Sequence, residues 1–553
     1  MMGSPPDNSQ PSDLMPGLML DDMRLEREAR AGFWPNHVLT DYFDAWLNSR
    51  PNDTALIAHR TDQGTETRLT YAELDVHVNN IAANLTRMGV QPGDVVSYQL
   101  PNRWEFVALL LACIRIGAVS NPLMPIFRRR ELEFMVGRVG AKILIVPAIF
   151  RNFDHAAMAG KLQPALPALE HVIIVDGQSE QSFAVQLLAA PASQPASNAS
   201  LTPNQVLKVM YTSGTTGEPK GVMHTSNTLL STIIALVDRI GVTGKDVMFV
   251  PTPFAHSFGF VYGIMLSVHL GIPLVTLDVW KPATAITLME RHGVTFSFGT
   301  PPFLSDLAYF PSVRQRKLDN LRLFLASGAP IPRALAREAE RNFGLKVEVA
   351  FGMTELGIVS ATDPARPDLG RDSDGYDLAS CETRIVDAER RELPPGSAGS
   401  LECRGSSTFV GYHRRPDLYA VDAEGWFDTG DLAKKNAAGC LQIVGRKKDI
   451  IIRGGENIPV VEVEKLIHEM PQVREAALIA MPDPRLGERV CAYIATHADA
   501  PLSLTEVVEF LEGRGLARQY LPERLELVED LPKTPSGKIQ KYLLREQAAR
   551  LTV

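Results

Sequence analysis

Strand-like and helix-like patterns alternate along two long stretches of the chain, residues 36 to about 188 and 206 to about 362. Within the first stretch, residues 93–98 indicate a turn and a strand, residues 104–116 a buried helix, and residues 143–146 a short buried strand. Alternation of this kind predicts βαβ units with parallel strands. We therefore expect an α/β fold.

The rest of the chain departs from this alternation. Residues 1–30 are rich in Pro, Ser and Asp and then charged, which indicates a flexible tail or a lightly docked helix. Residues 189–204 (AAPASQPASNASLTPN) form a low-complexity connector. Short β-rich runs between Gly/Pro turns at 377–411 indicate a small barrel or sheet, and about 100 residues remain after position 449. Because 553 residues exceed what one core supports, we expect two or more domains.

Bulk composition excludes several classes of protein. The net charge of −8 predicts no nucleic-acid partner, and five scattered cysteines without a C-x-x-C pair argue against a disulfide framework or a zinc site. Residues 247–277 contain no Asp, Glu, Lys or Arg, but three prolines, three glycines and two histidines interrupt them. A buried loop, helix and strand fits this stretch better than a membrane span. We expect no transmembrane segment, no secretory signal and a cytoplasmic location.

A polar loop follows the strand-like residues 206–210. Its sequence, YTSGTTGEPKG (211–221), combines three glycines, four hydroxyl groups of Ser and Thr and one lysine. Glycines let backbone N–H groups converge, and hydroxyls and an ammonium add donors, as a polyphosphate requires. The pattern is not the Walker motif, because Pro219 precedes Lys220 and neither Ser nor Thr follows it.

Five further motifs follow this loop in order. They are AFGMTE (350–355), GSLE with GY (399–402 and 411–412), WFDTGD (426–431), GRKKD (445–449) and LPKTPSGKI (531–539). With them the chain resembles the adenylate-forming superfamily of acyl-CoA synthetases, firefly-type luciferases and peptide-synthetase adenylation domains. The resemblance covers about residues 36–545. The segments GRKKDIIIRGGEN (445–457) and GKIQKYLLR (537–545) look most like bacterial short- and medium-chain fatty acyl-CoA ligases.

The resemblance implies an architecture. A large N-terminal adenylation domain, residues 31–445, would contain two βα-layered subdomains and a small β-barrel at about 375–440. A hinge at 446–449 would connect it to a small, mobile α+β lid domain at 450–553.

The resemblance also implies contacts for ATP. In such enzymes a carboxylate is joined to AMP with release of pyrophosphate, and a thiol then attacks the acyl-adenylate. The expected phosphate contacts are Thr212, Ser213, Gly214, Thr215, Thr216, Gly217, Lys220 and Thr354; the expected adenine contacts are Gly328, Ala329, Pro330, Phe351 and Gly352. Phe351 replaces the usual tyrosine, which keeps a ring for packing but loses a hydroxyl. Asp431 and Arg446 are the expected ribose contacts.

Four residues are predicted to be catalytic: Lys538, Lys220, Glu355 and His256. Lys538 would stabilise charge that develops between the carboxylate and the α-phosphate, because an ammonium there meets both groups. Glu355 would be the Mg²⁺ ligand, since a hard cation prefers carboxylate oxygen.

The hinge and the coenzyme A contacts follow from the same resemblance. Lys448 is the predicted hinge, about which the lid domain would rotate between the two half-reactions. Gly454 and Gly455 would leave room for the pantetheine chain, and Arg453 would contact a CoA phosphate.

The predicted acyl pocket consists of uncharged residues around His256. These are Phe258, Phe260, Val279, Trp280, Gly299, Thr300, Met353 and Leu356. Ala255 stands where peptide-synthetase domains place an aspartate that holds an amino group. This predicts an apolar acid rather than an amino acid.

These expectations combine into an ATP-dependent carboxylate–CoA ligase that uses Mg²⁺ and activates a short- to medium-chain fatty acid. Two alternatives stay open: a CoA ligase for an alicyclic or aromatic acid, and an acyl-AMP ligase that loads a carrier protein. The absence of an insertion between Arg446 and Gly455 favours CoA. A non-catalytic binding protein is disfavoured because Lys538, Glu355 and Asp431 are all present. We expect a monomer or a homodimer.

Overall fold

The structure, a computed structural model, describes most of the 553 residues. The described residues are 15–189, 200–212, 218–309, 316, 318–329, 331–370, 373–453, 456–483, 485–497, 500–534 and 537–551. The chain divides into two compact units that interleave in sequence. Unit 1 contains Met1–Ser297, Met353–Gly357 and Gly405–Ala420, and unit 2 contains Phe298–Gly352, Ile358–Arg404 and Val421–Val553. The domain bounds expected from the sequence stay a prediction.

Two sheets organise unit 1. The first has six strands in the order Lys220–Thr225, Val206–Thr212, Val119–Pro122, Val95–Tyr98, Ile143–Pro147 and His171–Val175. Its first pair is antiparallel and the remaining pairs are parallel. The second runs in the order Phe296–Gly299 (whose last two residues are assigned to unit 2), Met248–Val250, Leu274–Leu277, Thr54–Arg60 and Thr65–Thr70, and only the last of these pairs is antiparallel. A short hairpin joins Ile149–Phe150 to Phe153–Asp154. The parallel pairs confirm the α/β expectation.

The helices of unit 1 connect these strands. They are Asp22–Ala31, Leu39–Ser49, Tyr71–Arg87, Trp104–Arg115, Arg129–Val139, His155–Leu162, Ser226–Ile240, Leu266–Leu270 and Pro282–Arg291, with 3₁₀ turns at Gln163–Ala165 and Pro416–Leu418 and π-helical segments at Ala184–Leu188 and Phe258–Met265. Thr70 followed three residues later by Glu73 predicts a capping box at the start of Tyr71–Arg87. The capping box is present: Thr70 Oγ1 accepts from Glu73 N–H, and the Glu73 carboxylate accepts from Thr70 N–H. Local sequence therefore specifies where this helix begins.

The N-terminal part of the chain bears on the two alternatives expected for residues 1–30, a flexible tail or a lightly docked helix. Residues 1–14 lie outside the described residues. Asp22–Ala31 is a helix that begins at an Asp21 cap and buries Arg24 and Glu28. Of the two alternatives, a docked helix is therefore what residues 22–30 adopt, because two of their charged side chains find partners inside unit 1.

The uncharged stretch 247–277 contains the expected loop, helix and strand. Met248–Val250 and Leu274–Leu277 are strands, and the helix between them begins as the π-helical segment Phe258–Met265, which the sequence did not predict. All eight residues of this segment are buried. Among the described residues, each helix is too short or too polar to cross a membrane.

Unit 2 contains three sets of strands. Leu323–Ser327 pairs with Lys346–Met353, which is followed by Gly357–Ala361 and Tyr376–Asp377. The small barrel or sheet expected near residues 377–411 is a four-stranded sheet of Cys381–Val386, Gly399–Gly405, Phe427–Lys435 and Leu441–Arg446. The C-terminal sheet has the order Glu456–Ile458, Ile451–Arg453, Gly487–Thr496 and Val473–Asp483, and Arg524–Leu527 pairs with Gly487–Thr496.

Helices cover these sheets of unit 2. They are Pro301–Tyr309, Arg333–Phe343, Pro367–Gly370, Val460–Ile467, Leu504–Gly513 and Lys541–Ala548, with 3₁₀ turns at Lys447–Asp449 and Arg518–Tyr520. A core of aliphatic side chains that includes Val463, Ile494 and Leu511 fills the space between the C-terminal sheet and its helices. This α+β arrangement agrees with the fold expected for the end of the chain.

Candidate active site

The two ends of the glycine-rich loop meet in unit 1. Thr212 ends one strand, Lys220 begins the next, and the two residues are paired across the antiparallel ladder. Ser213, Gly214, Thr215, Thr216 and Gly217 lie outside the described residues. The structure therefore anchors the ends of the predicted phosphate loop on adjacent strands.

Thr354 and Glu355 are held by main-chain hydrogen bonds from two directions. His224 Nε2 donates to the Thr354 carbonyl at 2.6 Å, because a carbonyl oxygen can only accept. Phe409 N–H donates to the Glu355 carbonyl at 2.7 Å. His224 is fully buried, and this burial holds its pKa well below the ordinary value, so the ring is neutral and donates through Nε2. The segment that carries the predicted metal ligand is thereby fixed.

Tyr412 connects Glu355 with Lys220. Its hydroxyl donates to Glu355 Oε1 at 2.9 Å, and Lys220 Nζ lies 5.1 Å from the centre of its ring. Burial, followed by the Glu355 charge, raises the pKa of Tyr412, so the phenol stays protonated and keeps donating. The predicted phosphate lysine and the predicted metal carboxylate thus share one supporting side chain.

The residues around Glu355 are compatible with Mg²⁺ that is bound together with a nucleotide. No group of three His, Cys, Asp or Glu side chains capable of holding a metal occurs in the described part of the chain. Mg²⁺ is usually bound through one or two carboxylates together with substrate phosphates and water. A single buried glutamate beside Thr354 therefore suits a cation that arrives with a nucleotide.

Several predicted acyl residues lie on one turn of unit 1. His256 Nδ1 accepts from Phe258 N–H at 3.2 Å, and the His256 carbonyl accepts from Phe260 N–H at 2.9 Å. A Cβ on Gly259 would lie 2.2 Å from the Pro253 carbonyl, so only glycine fits this turn. Phe258, Phe260 and Leu356 are buried, whereas Trp280 and Met353 are partly exposed. The other two acyl candidates, Gly299 and Thr300, belong to unit 2.

Asp431 and Arg446 are brought together in unit 2 by neighbouring strands of the four-stranded sheet. Arg446 Nε lies 2.7 Å from Asp431 Oδ1, and Thr429 Oγ1 accepts from Asp431 N–H. Asp431 Oδ2 is buried and has no hydrogen-bond partner among the described residues. Burial raises the pKa of Asp431, while the charges of Arg446 and Lys538 oppose that rise. A buried acceptor oxygen without a donor is what a ribose hydroxyl could satisfy.

Lys538 lies beside the predicted adenine loop of unit 2. A Cβ placed on Gly328 would be 3.7 Å from Lys538 Cε, and one placed on Gly537 would be 2.8 Å from Thr300 Oγ1. Gly328 and Gly537 both have positive φ, 88° and 82°, which side chains rarely adopt. Thr534 Oγ1 accepts from Lys538 N–H and fixes the turn. The structure therefore groups Lys538 with Gly328, Thr300 and the charge of Asp431, although more than 100 residues separate some of them.

The remaining adenine candidates lie near the ends of strands in unit 2. Ala329 follows the strand Leu323–Ser327. Phe351 and Gly352 lie near the C-terminal end of the strand Lys346–Met353. All three are partly exposed. Pro330 lies outside the described residues.

The predicted hinge and CoA residues receive less support from the structure. Lys448 lies in the 3₁₀ turn Lys447–Asp449, and Gly454 and Gly455 lie outside the described residues. Arg453 forms a two-pronged ion pair with Glu523, at 2.9 and 2.8 Å. A CoA phosphate would have to share this guanidinium with a carboxylate, so the Arg453 contact stays a prediction.

Sequence reasoning missed three residues that the structure singles out. Tyr412 was noted only as part of a motif, and Arg24 only as part of a charged segment. Lys208 is fully buried on the strand Val206–Thr212, where its Nζ donates to Ser257 Oγ at 3.1 Å and lies 5.1 Å from the Phe260 ring centre. A lysine inside an otherwise apolar strand was the available signal.

Fold and site together define a class of enzyme. The anthranilate CoA ligase AuaEII, solved with anthranoyl-AMP, has the same fold, with a TM-score of 0.85, 24% identity, and coverage of 94% of this chain and 98% of that chain. Residues 43–413 match the model of the AMP-binding enzyme family, and residues 462–538 match the AMP-binding enzyme C-terminal domain. The chain belongs to the AMP-binding enzyme family. It is an acyl-CoA synthetase, an enzyme that ligates an acid to CoA with formation of AMP.

Two curated relatives differ in the acid named for them. The medium-chain fatty-acid–CoA ligase of Escherichia coli (strain K12) is 36% identical over 98% of this chain and 95% of its own length. The salicylyl-CoA synthase/salicylate adenylyltransferase of a Streptomyces species is 32% identical over 94% of this chain and 95% of its own length. The family is established by these matches, and the acid is open between an alkyl and an aryl class.

Proposed function

We propose that the protein joins a short- to medium-chain fatty acid to CoA through an acyl-adenylate. The observation that carries the proposal is the grouping, within unit 2, of Lys538, Gly328 and Asp431, whose buried Oδ2 has no donor in the part of the chain that the structure describes. Asp431 would accept from the ribose hydroxyls, and Lys538 would meet the developing charge. The similarity to the medium-chain ligase favours an alkyl acid.

The chemistry would proceed in two steps. A carboxylate oxygen attacks the α-phosphorus of ATP, the bond to the β-phosphate oxygen breaks, and pyrophosphate leaves. The thiol sulfur of CoA then attacks the acyl carbon, the acyl–phosphate bond breaks, AMP leaves and the thiol proton passes to solvent. Lys538 acts in the first step only, because it neutralises charge between the carboxylate and the α-phosphate.

The residues of unit 1 would serve the phosphates and the acid. Lys220 and Thr212 would contact the polyphosphate, and Glu355 would hold Mg²⁺, which supplies positive charge against the phosphate oxygens. His256 and the apolar residues after it would bind the acid. The five cysteines are free and buried, which supports a cytosolic location as part of the proposal.

A CoA ligase for an alicyclic or aromatic acid is the second candidate. The similarity to the salicylate enzyme and the aromatic residues Phe258 and Phe260 favour it. An enzyme that loads a carrier protein would share the first step but would use a different thiol.

Acid-dependent exchange of pyrophosphate into ATP tests the proposal. Short- and medium-chain straight-chain acids, from butyrate to decanoate, would be compared with cyclohexanecarboxylate and benzoate. CoA-dependent release of AMP would then be measured for each acid that supports exchange. Exchange with straight-chain acids and thioester formation with CoA are expected. Exchange confined to cyclic acids would select the second candidate, and no exchange with any acid would contradict the ligase itself.

A further inference from the structure

The loop at residues 405–414 of unit 1 touches both predicted phosphate-side groups. Its Tyr412 donates to Glu355 Oε1, and Phe409 N–H donates to the Glu355 carbonyl. The same loop pairs with the strand that begins at Lys220, since His413 N–H donates to the Gly221 carbonyl at 2.8 Å. A displacement of this loop would therefore move the supports of Glu355 and Lys220 together.

The N-terminal segment, residues 15–34, holds the carbonyl groups of this loop. Arg24 donates through Nη1 to the Phe409 carbonyl at 2.8 Å and through Nη2 to the Thr408 carbonyl. Trp34 Nε1 donates to the Ser406 carbonyl at 2.8 Å. Arg24 is 6% exposed and Trp34 7%, so both contacts are shielded from water.

Further contacts connect the N-terminal segment to the loop at residues 405–414. Ser406 Oγ donates to Glu28 Oε2 at 2.6 Å, and Met19 N–H donates to the Val410 carbonyl at 2.7 Å. A Cβ on Gly17 would lie 2.5 Å from the Tyr412 carbonyl, so the backbones pass too closely for a side chain. The loop is therefore fixed by N-terminal residues on one side and by Glu355 on the other.

We propose that Arg24 and Trp34 are positioning residues for Mg-ATP: they hold the 405–414 loop and, through Tyr412, the carboxylate of Glu355. The inference rests on the proposed metal role of Glu355. Arginine suits the task because its planar fork reaches two carbonyls at once, whereas lysine carries the same charge without the fork. Neither Arg24 nor Trp34 touches substrate in this scheme. Both act through Tyr412.

The test uses the full-length enzyme and the Arg24→Lys variant. Losing the fork should raise KM for Mg-ATP about tenfold, the effect of one hydrogen bond lost, while KM for the acid and thioester formation from supplied acyl-adenylate stay within about twofold. Arg30→Ala is the matched control, because Arg30 lies on the same helix with an 80% exposed side chain and pairs only with Glu26 among the described residues. It should leave every parameter unchanged.

A second readout does not depend on turnover. Affinity for Mn²⁺ in the presence of a non-hydrolysable ATP analogue, followed by water proton relaxation, should weaken about tenfold in Arg24→Lys and to a smaller extent in Trp34→Phe, which loses only the indole N–H. Trp34→Phe also serves if Arg24→Lys fails to fold. The Arg24→Lys/Tyr412→Phe double variant should be little worse than the more affected single variant, because both act on one carboxylate.

Two results would overturn the inference. One is unchanged Mn²⁺–analogue affinity in both variants. The other is an equal rise of KM for Mg-ATP and for the acid, which a general loosening of the fold would produce. If the wild-type protein binds no metal–nucleotide at all, the proposed function fails as well, and the two failures are thereby distinguished.

Discussion

Glu355 in unit 1 and Asp431 in unit 2 are both buried carboxylates, 8% and 2% exposed, yet they are supported in different ways. Glu355 receives a neutral phenol donor from Tyr412, and its main chain is held by Phe409. Asp431 is paired with the cationic Arg446, and its second oxygen has no partner among the described residues.

This difference teaches what each carboxylate is suited to bind. A carboxylate oxygen that accepts from a neutral phenol can also serve as a hard ligand for a cation such as Mg²⁺. A carboxylate that is already neutralised by a guanidinium suits neutral donors such as hydroxyl groups. The supports agree with the proposed roles, a metal ligand for Glu355 and a ribose contact for Asp431, whereas burial alone does not distinguish the two residues.

The largest expected effect concerns Lys538, whose charge opposes the rise in the pKa of Asp431. Lys538→Ala should lower acyl-adenylate formation by at least about 10²–10³-fold, because it removes charge stabilisation from the transition state. Thioester formation from supplied acyl-adenylate should be largely spared. The two half-reactions would be measured separately by pyrophosphate exchange and by thioester release. Lys533→Ala, on the same loop and paired with Glu475 at 2.5 Å, is the control. Equal loss of both half-reactions would refute the assignment.

The next prediction tests whether Lys448 is the hinge of the C-terminal lid domain. Lys448→Pro should stop rotation of the lid domain in the adenylating arrangement, because proline fixes φ. Pyrophosphate exchange should persist while overall thioester production falls about 10²-fold, as expected when reacting groups are misplaced. Lys447→Ala, at the neighbouring position, serves as the control. Unimpaired overall turnover would rule out the hinge.

Asp431→Asn tests the sugar role and the cost of burial together. Replacing the charged acceptor should lower kcat/KM for ATP about 10–100-fold, the range for a hydrogen bond to a charged group.

Burial raises the pKa of Asp431, so the ionised form destabilises the fold above that pKa. The variant should therefore be more stable than wild type at pH 7, and this advantage should shrink as pH falls towards the ordinary aspartate range. Urea unfolding at several pH values measures it. A variant less stable at neutral pH would contradict this sign.

Lys208 gives the smallest expected effect on activity and supplies a contrast with both carboxylates. It makes no ion pair with any described residue, and burial lowers its pKa to about 7. In the unfolded chain it titrates near 10.5, so the charge costs the most at pH 7 and below and is relieved as pH rises to 10. Lys208→Met should be the more stable form at pH 6, by roughly 3–5 kcal/mol more than at pH 10.

Denaturation of Lys208→Met and wild type at pH 6, 8 and 10 gives this difference directly. Turnover should change less than about threefold, because Ser257, its hydrogen-bond partner, is not assigned to the chemistry. A difference that grows with pH would show that Lys208 is fully charged in the fold and stabilised by it.

The motifs that the sequence revealed are those whose chemistry is local. The capping box at Thr70 and Glu73 spans one helical turn, and the glycine-rich loop ends at Thr212 and Lys220, eight positions apart. Turn propensity, donor count and periodicity act over such short distances, so the order of motifs was enough to place Glu355, Asp431 and Lys538 in one family of enzymes. The π-helical segment was not predictable, because its apolar residues also fit an ordinary buried helix.

By itself, then, the sequence determined the α/β class, the order of the motifs and the family of reaction. Only the tertiary structure decided how those residues are supported. Arg24 meets the carbonyl of Phe409 across 385 positions, Tyr412 meets Glu355 across 57, and Lys208 meets Ser257 across 49. The physical reason is that a side chain's charge and donors are encoded locally, whereas burial and the identity of its partners arise when distant segments pack together. For Glu355 and Asp431, that packing distinguishes two otherwise similar carboxylates.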